Sequence, residues 1–263
     1  TNIALKVQNT KDPDKFIVSG RGELHISILV ENMRREGYEL ALSSPDVVYK
    51  VVNSEKHEPY EELTLDIEEK HQGNVIEKLN ERKGQLTNLS PLENNKLRLT
   101  YLIPARGLIG FRSEFLTLTS GTGNLYSLFK DYRSVVKNLN RKRKNGALVS
   151  MNKGKTITYA LYNLQERGKL ILSSGTDVYE GMIIGFNSKE NDLVVNPLKG
   201  KQLTNFRSSG SDEATILVTP IKLTLEKAIE VINEDELIEV TPNSIRLRKK
   251  YLKEHERKKM NKG

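Results

Sequence analysis

The feature that most constrains the fold is the order of strands and helices between residues 46 and 128. Residues 63–68 alternate apolar and polar side chains, as a half-buried strand does. Residues 73–83 follow with apolar residues on one helical face and Gly84 at the end. The whole order, β-α-β-β-α-β, predicts a split-βαβ (ferredoxin-like) unit of the α+β class. Its later elements are predicted at residues 85–90, 96–103, 105–117 and 125–132.

Residues 1–45 repeat part of that order. Residues 2–7 and 16–18 read as strands, residues 23–36 as a helix and residues 38–42 as a third strand. Strand, strand, helix, strand is a split-βαβ unit without its first strand and first helix. We therefore expect the first unit to be truncated and the chain to begin inside a domain.

The remainder, residues 133–263, predicts a domain rich in short strands. Residues 244–258 read as a basic terminal helix with Ser244 as its N-cap. The predicted domains are therefore residues 1–45, 46–132 and 133–263. Further strands are predicted near 146–151, 169–172, 182–187, 192–196 and 214–220, and further helices at 155–165 and 225–232.

The charge of the chain is unevenly placed. Its formal net charge is +8, and residues 241–263 contain nine lysines and arginines against two glutamates. Clustered cations release counterions from a phosphate backbone, so this asymmetry favours a polyanionic partner. A solubilising tail is the alternative. The chain has no cysteine, which excludes disulfides and thiolate metal sites.

The motifs of common catalytic sites are missing. Gly154-Lys155-Thr156 resembles the end of a phosphate loop, but the required first glycine is replaced by Val149. The four histidines show no metal-ligand spacing, and no nucleophile–base pair stands out. We therefore expect no catalytic residue, no metal site and no bound cofactor within this chain.

Several segments resemble a family of translational GTPases. Residues 19–25 read SGRGELH, which resembles a segment in the third domain of elongation factor G and LepA. Residues 104–112 read PARGLIGFR, which resembles the BipA/TypA family. The same family is resembled by NLQERG at 163–168, YEGM at 179–182, KQLTN at 201–205 and VTPNSIRLRK at 240–249. The chain is thus similar to the C-terminal half of a BipA/TypA protein.

This resemblance implies a function outside the chain as well as within it. The parent would be a ribosome-binding GTPase, whose G domain, with GTP and Mg, precedes residue 1. The residues present would form most of domain III, domain V and a family-specific C-terminal domain. The resemblance also implies rRNA contact, a loop directed at the acceptor end of the A-site tRNA, and roles in large-subunit assembly and in stress or cold adaptation. We expect a cytoplasmic, ribosome-associated monomer without a membrane partner; an organelle of bacterial descent is the alternative location.

The segment VNPLKGKQLTNFRSSGSDEA, residues 195–214, is a long connection, and such a connection is normally functional, disordered or a sign of a wrong element assignment. Its cations can neutralise phosphates, its amides can hydrogen-bond to sugars or bases, and its phenylalanine can stack on a base. The phenylalanine could equally anchor the loop on its own domain. The candidate RNA-binding residues of this loop are Lys199, Lys201, Gln202, Asn205, Phe206 and Arg207.

A second candidate RNA-binding cluster lies near the C-terminus. On a helix, most of its cations would form one stripe suited to rRNA, with a solubilising face as the alternative. Residues 137–144, KNLNRKRK, add cations that either reach rRNA or are solvated. A basic protein-interaction module without direct RNA contact is the alternative function. The terminal cluster also includes Lys258 and Lys259, and its candidate RNA-binding residues are Arg246, Arg248, Lys249, Lys250, Lys253 and Arg257.

Overall fold

The computed structural model describes residues 5–139, 143–200 and 216–260. The chain divides into two compact units, one from residues 1–29 and 45–141 and the other from residues 30–44 and 142–263. Within the described ranges, no helix combines the length and apolar character needed to cross a membrane.

The first elements follow the sequence pattern closely. Strands β1 (Leu5–Asn9) and β2 (Phe16–Gly20) pair as an antiparallel hairpin in the first unit. Helix α1 (Glu23–Arg35) comes next, and Gly37 just beyond it has a φ of 92°. A left-handed residue without a side chain ends the helix at low cost. Strand β3 (Leu40–Ser43) follows and belongs to the second unit.

Residues 50–134 form the main sheet of the first unit. The elements in chain order are β4 (Lys50–Val52), β5 (Glu55–Glu68), α2 (Gln72–Glu81), β6 (Gln85–Leu92), β7 (Lys96–Pro104), α3 (Ala105–Leu108), α4 (Phe111–Leu118) and β8 (Asn124–Ser134). The sheet order is β6–β7–β5–β8, the short β4 also pairs with β5, and every pair is antiparallel. Two interleaved β-α-β crossovers produce this order, so the predicted ferredoxin-like unit and the α+β class are confirmed.

The core of this unit lies between its helices and one face of the sheet. Alternate residues of β5 and β7 face the helices, because successive side chains in a strand point to opposite faces. The single helix predicted at residues 105–117 is two helices, since Gly110 between them has a φ of 73°. The fully buried core residues are Leu63, Leu65, Ile67, Val75, Leu79, Leu99, Tyr101, Ile103, Phe111 and Phe115.

The second unit is built around a larger sheet. Its elements after β3 are β9 (Ala147–Ser150), β10 (Gly154–Lys155), α5 (Thr158–Gln165), β11 (Gly168–Leu170), β12 (Asp177–Val178), β13 (Met182–Asn187), β14 (Leu193–Val195), α6 (Leu225–Val231), β15 (Glu236–Val240), β16 (Ile245–Lys249) and α7 (Glu254–Met260). The sheet order is β14–β9–β13–β16–β15–β3, and β11 also pairs with β13. Strands β9 and β14 are parallel, and the other pairs of this sheet are antiparallel.

Strand β3 pairs differently from the expectation for a truncated split-βαβ unit. The expected partner lay within residues 1–45, but β3 is antiparallel to β15, with Leu42 opposite Ile238. Leu40 and Leu42 alternate with more exposed residues, and that apolar face can be covered by any strand of matching pattern. Ile238 and Val240, both fully buried, supply the match.

The predicted terminal helix at residues 244–258 is wrong over residues 244–253, because α7 begins at Glu254. The amide of Ser244 donates to the carbonyl of Thr241 (3.3 Å), and the amide of Thr241 donates to the carbonyl of Ser244 (2.9 Å). Pro242 and Asn243 are therefore the two central residues of a hairpin between β15 and β16, and Ser244 is no N-cap. Only α7 is helical.

Two smaller differences concern the elements around the long loop. The helix predicted from residue 155 begins at Thr158, because Gly154 and Lys155 pair with β12. The strand predicted at 214–220 is not formed in residues 216–220, the part that the structure describes.

Candidate nucleic-acid interface

One edge of the second unit's sheet gathers several segments that carry exposed lysines. The amide of Met151 donates a hydrogen bond to the carbonyl of Val195 (3.0 Å), and the amide of Gly181 donates to the carbonyl of Ser150 (2.9 Å). The amide of Lys249 in turn donates to the carbonyl of Gly181 (2.9 Å). These bonds place the ends of β9, β14 and β16 side by side with the start of β13. We call this the basic edge, defined by the exposed Lys153, Lys155, Lys199, Lys250 and Lys253 in the segments that leave it.

Lys153, Lys155 and Lys199 belong to two segments that contact one another. The amide of Ile157 donates to the carbonyl of Pro197 (3.0 Å). A Cβ atom on Gly154 would lie 2.2 Å from Leu198 Cδ2, so a side chain at this position would have to displace the end of that leucine. None of the three lysines forms an ion pair with a residue in the described ranges, although Lys155 lies opposite Asp177 in the strand pairing.

The structure places the terminal cluster's remaining exposed cations just after β16. Lys250 and Lys253 are exposed. Arg257 is half-buried, and its guanidinium donates to the carbonyls of Tyr251 (3.0 Å) and Leu252. Arg257 thus holds the chain leading into α7, whereas the two lysines remain available for phosphate.

Lys249 is not a surface residue, contrary to its predicted place in an exposed stripe. It is 2% exposed, and its Nζ lies 2.6 Å from Asp192 Oδ2, 2.7 Å from Asp235 Oδ2 and 3.0 Å from Glu236 Oε1. Burial alone would lower its pKa, but these carboxylates outweigh burial and raise it. Its stabilising contribution is therefore present below the ordinary lysine pKa and is lost only as the pH rises through the raised value.

Arg246 and Arg248 are half-buried strand residues instead of members of a helical stripe. Arg248 Nε lies 2.7 Å from Glu239 Oε1, and Arg246 lies opposite Glu239 in the β15–β16 pairing. The hydroxyl of Tyr179 donates to the same carboxylate. Burial and this carboxylate raise the pKa of Tyr179. Glu239 therefore partly neutralises Arg248, and half-burial limits access to Arg246, which makes both weaker candidates for RNA contact than the exposed lysines.

Arg143 in the segment KNLNRKRK, whose cations were expected either to reach rRNA or to be solvated, does neither. Its guanidinium bonds to Glu236 Oε1 (3.0 Å) and the carbonyl of Val231 (2.9 Å), and lies 4.7 Å from the centroid of the Phe186 ring. Only 10% of its side chain is exposed. Arg143 is therefore a structural cation. Arg141 and Lys142 of the same segment lie outside the described residues.

The centre of the long loop also lies outside the described residues, and with it Lys201, Gln202, Asn205, Phe206 and Arg207. Its two arms are described. The first is held by the bond from Ile157 to Pro197. On the second, the amide of Val218 donates to Gln165 Oε1 (2.9 Å), and Gln165 Nε2 donates to the carbonyl of Ile216 (3.3 Å).

Sequence reasoning missed Lys153 and Lys155. Both lie in the segment tested as a phosphate loop. Nothing in the local pattern predicts that this segment contacts the one that carries Lys199. The buried Thr156 donates its hydroxyl to the carbonyl of Ser173 (2.9 Å) and accepts from the amide of Thr176 (3.0 Å), so it pins the segment to the next loop. Across the described ranges, no group of three or more histidine, aspartate or glutamate residues is arranged to hold a metal ion.

Comparison with known proteins identifies the family. Residues 145–254 match the TypA/BipA C-terminal domain, and residues 55–143 match the elongation factor G C-terminus. Over 262 residues the chain is 57% identical to a protein of Salmonella typhimurium named large ribosomal subunit assembly factor BipA. The chain belongs to the TypA/BipA family.

Other relatives of the same name give the same picture. The BipA proteins of Buchnera aphidicola and Haemophilus influenzae are 58% and 56% identical over 260 residues, which is 99% of this chain. The chain spans 43% of the length of the Salmonella and Buchnera proteins and 42% of the Haemophilus protein.

The segments that resemble the TypA/BipA family have structural roles where the structure describes them. In PARGLIGFR, a Cβ on Gly107 would lie 2.7 Å from the carbonyl oxygen of Arg82, whose guanidinium donates back to the Gly107 carbonyl (2.7 Å). In YEGM, Gly181 has a φ of 85° and would place a Cβ 2.7 Å from Leu252 Cα. This glycine lets the lysine-bearing segment after β16 lie against the sheet edge.

We expect Gly181→Ala to destabilise the second unit by about 2–4 kcal/mol, since it adds a backbone clash to an unfavourable φ. Gly175→Ala is the matched control, because Gly175 has a similar φ of 78° but no atom within 4 Å of an added Cβ. Urea unfolding followed by circular dichroism measures both. Equal losses in the two variants would show that the contact with Leu252 contributes nothing.

Proposed function

We propose that this chain is the ribosome-binding part of a TypA/BipA translational GTPase and that it contacts rRNA and the acceptor end of the A-site tRNA. The observation that carries the proposal is the basic edge, where Lys153, Lys155 and Lys199 are exposed and free of ion pairs with the described residues. Uncompensated cations on neighbouring segments suit a phosphate backbone, which neutralised lysines do not. The relatives' name, large ribosomal subunit assembly factor, supports the ribosome as the source of that backbone.

The wider function extends this proposal to the parent protein. GTP and Mg would bind in a G domain of the parent protein. The present chain would bind the ribosome and so position that G domain on it. The parent would act in large-subunit assembly and in stress or cold adaptation. The proposed location is cytoplasmic and ribosome-associated, since the matched relatives are bacterial, with an organelle of bacterial descent as the alternative.

Reversing the charge of the basic edge tests the proposal. We expect the triple variant Lys153→Glu, Lys155→Glu and Lys199→Glu to weaken binding to large ribosomal subunits at least tenfold at moderate salt. Each lost phosphate contact should also reduce the slope of log K against log salt by about 0.7–0.9, so the full set reduces it by about 2–3. Co-sedimentation at several salt concentrations measures both quantities.

The opposite edge of the same sheet provides the control. Lys169 lies opposite Phe186 at the far end of β13. The backbone carbonyl of Lys189 accepts a hydrogen bond from the amide of Gly146, just before β9. Reversing Lys169, Lys189 and the exposed Lys222 changes the charge equally and should leave binding nearly unchanged. Equal effects of the two triple variants would contradict a specific basic edge. Binding that survives removal of RNA by ribonuclease would favour a module that meets acidic proteins.

A further inference from the structure

Helix α5 presents two exposed aromatic rings on its outer face. Tyr159 is 37% exposed and Tyr162 is 39% exposed, whereas Ala160 and Leu161 are buried in the core of the unit. Residues three apart on a helix are neighbours, so the two tyrosines form one continuous surface. Neither ring is used in the core or in the contacts of the basic edge.

This helix connects the two arms of the long loop. At its start, Ile157 donates its amide to Pro197 on the outgoing arm. At its end, the Gln165 side chain bonds to Ile216 and Val218 on the returning arm. A helix of eight residues is about 12 Å long. The tyrosines therefore lie between the two points at which the arms are held.

The same surface adjoins the uncompensated lysines. Lys155 is three residues before α5, and Lys199 follows the Pro197 that is bonded to Ile157. Aromatic rings beside phosphate-binding cations are the two components of a surface for single-stranded nucleic acid, because rings stack on unpaired bases while cations follow the backbone.

We propose that Tyr159 and Tyr162 form a stacking platform for unpaired bases of an RNA whose phosphates are held by Lys153, Lys155 and Lys199. This inference rests on the proposed function and names the part of the RNA that the site takes: single-stranded nucleotides, in preference to a duplex. The exposed Ile216 and Val218 at the far end would also suit an apolar protein segment. The lysines at the near end, which have no ion partner among the described residues, favour the polyanion.

The test uses the full chain and two fluorescent RNAs of equal phosphate number, an unstructured strand of about ten nucleotides and a duplex. We expect Tyr159→Leu with Tyr162→Leu to weaken binding of the single strand by about tenfold or more. Duplex binding and the salt slope for the single strand should stay unchanged, because no cation is removed. Tyr159→Phe with Tyr162→Phe should bind the single strand like the parent chain, since phenylalanine keeps the ring.

The outcomes separate this inference from the proposed function. Tyr126, which is 60% exposed in the first unit, supplies the control Tyr126→Leu, and circular dichroism checks that all variants are folded. Unchanged single-strand binding by the leucine variant, while the lysine reversals still weaken ribosome binding, would overturn the platform and leave the proposed function standing. Equal loss of single-strand and duplex binding would also overturn it. Lost binding of a protein partner from the ribosome, with unchanged RNA binding, would assign the tyrosines to a protein contact instead.

Discussion

Replacing Arg106 by alanine should destabilise the first unit by about 3–5 kcal/mol. Glu58 is fully buried, and its carboxylate accepts from Arg106 Nε (2.6 Å) and Nη2 (3.1 Å). Arg106 Nη2 also donates to the carbonyl of Val136 (2.9 Å). The alanine variant keeps the bond from the Val136 amide to Glu58 (2.7 Å) but leaves the buried negative charge without a counter-charge. An uncompensated buried charge costs far more than the pair itself contributes.

Arg98→Ala is the matched control for this prediction. Arg98 makes a similar two-bond pair with Asp66 (2.7 and 2.8 Å), but 46% of the Arg98 side chain is exposed, so we expect a loss of no more than about 1 kcal/mol. Hydrogen exchange measured by mass spectrometry on residues 45–139 compares the two variants within the same unit. A loss for Arg106→Ala as small as that for Arg98→Ala would show that Glu58 is not held as a buried charge.

Replacing Glu236 by glutamine should destabilise the second unit by a similar amount, about 3–5 kcal/mol. Glu236 is fully buried and contacts two cations: Lys249 Nζ (3.0 Å) and Arg143 Nη2 (3.0 Å) both lie against its Oε1. It also accepts from the amide of Asn233 (3.0 Å). Glutamine keeps the shape of the side chain but leaves two buried cations facing a neutral amide. Urea unfolding of the full chain, with hydrogen exchange to localise the change, measures the loss.

Asp235→Asn separates burial from simple contact with Lys249. Asp235 also bonds to Lys249 Nζ (2.7 Å), but 63% of its side chain is exposed, so we expect a loss of about 1 kcal/mol or less. Adding Lys249→Met to Glu236→Gln should recover part of the stability, because it removes a buried cation that then faces only the partly exposed Asp192 and Asp235. Equal losses for Glu236→Gln and Asp235→Asn, or no recovery in the double variant, would contradict this account of the network.

Local pattern predicted the first unit well because its core alternates regularly in sequence. Leu63, Leu65 and Ile67 repeat every second residue, and Val75 and Leu79 repeat at helical spacing. The spacing of apolar residues within each element therefore predicts which of its faces is buried. The break at Gly110 was not predicted, because a glycine within a helical pattern is compatible with either a continuous helix or a left-handed stop.

The same reasoning was wrong for residues 244–249 because their pattern suits two structures. Arg246 and Arg248 alternate with Ile245 and Leu247, which fits a strand with period two, while the whole basic run also places cations on one helical face. The choice was made by β13 and β15, which flank β16 and take up its backbone hydrogen bonds. A flanking strand that is distant in sequence leaves no trace in the local pattern.

The sequence alone established the family resemblance, the ferredoxin-like unit, the net positive charge and the long loop VNPLKGKQLTNFRSSGSDEA. Only the tertiary structure decided which cations are available. Lys249 and Arg143 stand in basic runs yet are neutralised by Glu236, whereas Lys153, Lys155 and Lys199 come together at one edge without described ion partners. The physical reason is that a charge is compensated by groups close in space. Those groups reach their positions only when strands separated by tens of residues pair into one sheet.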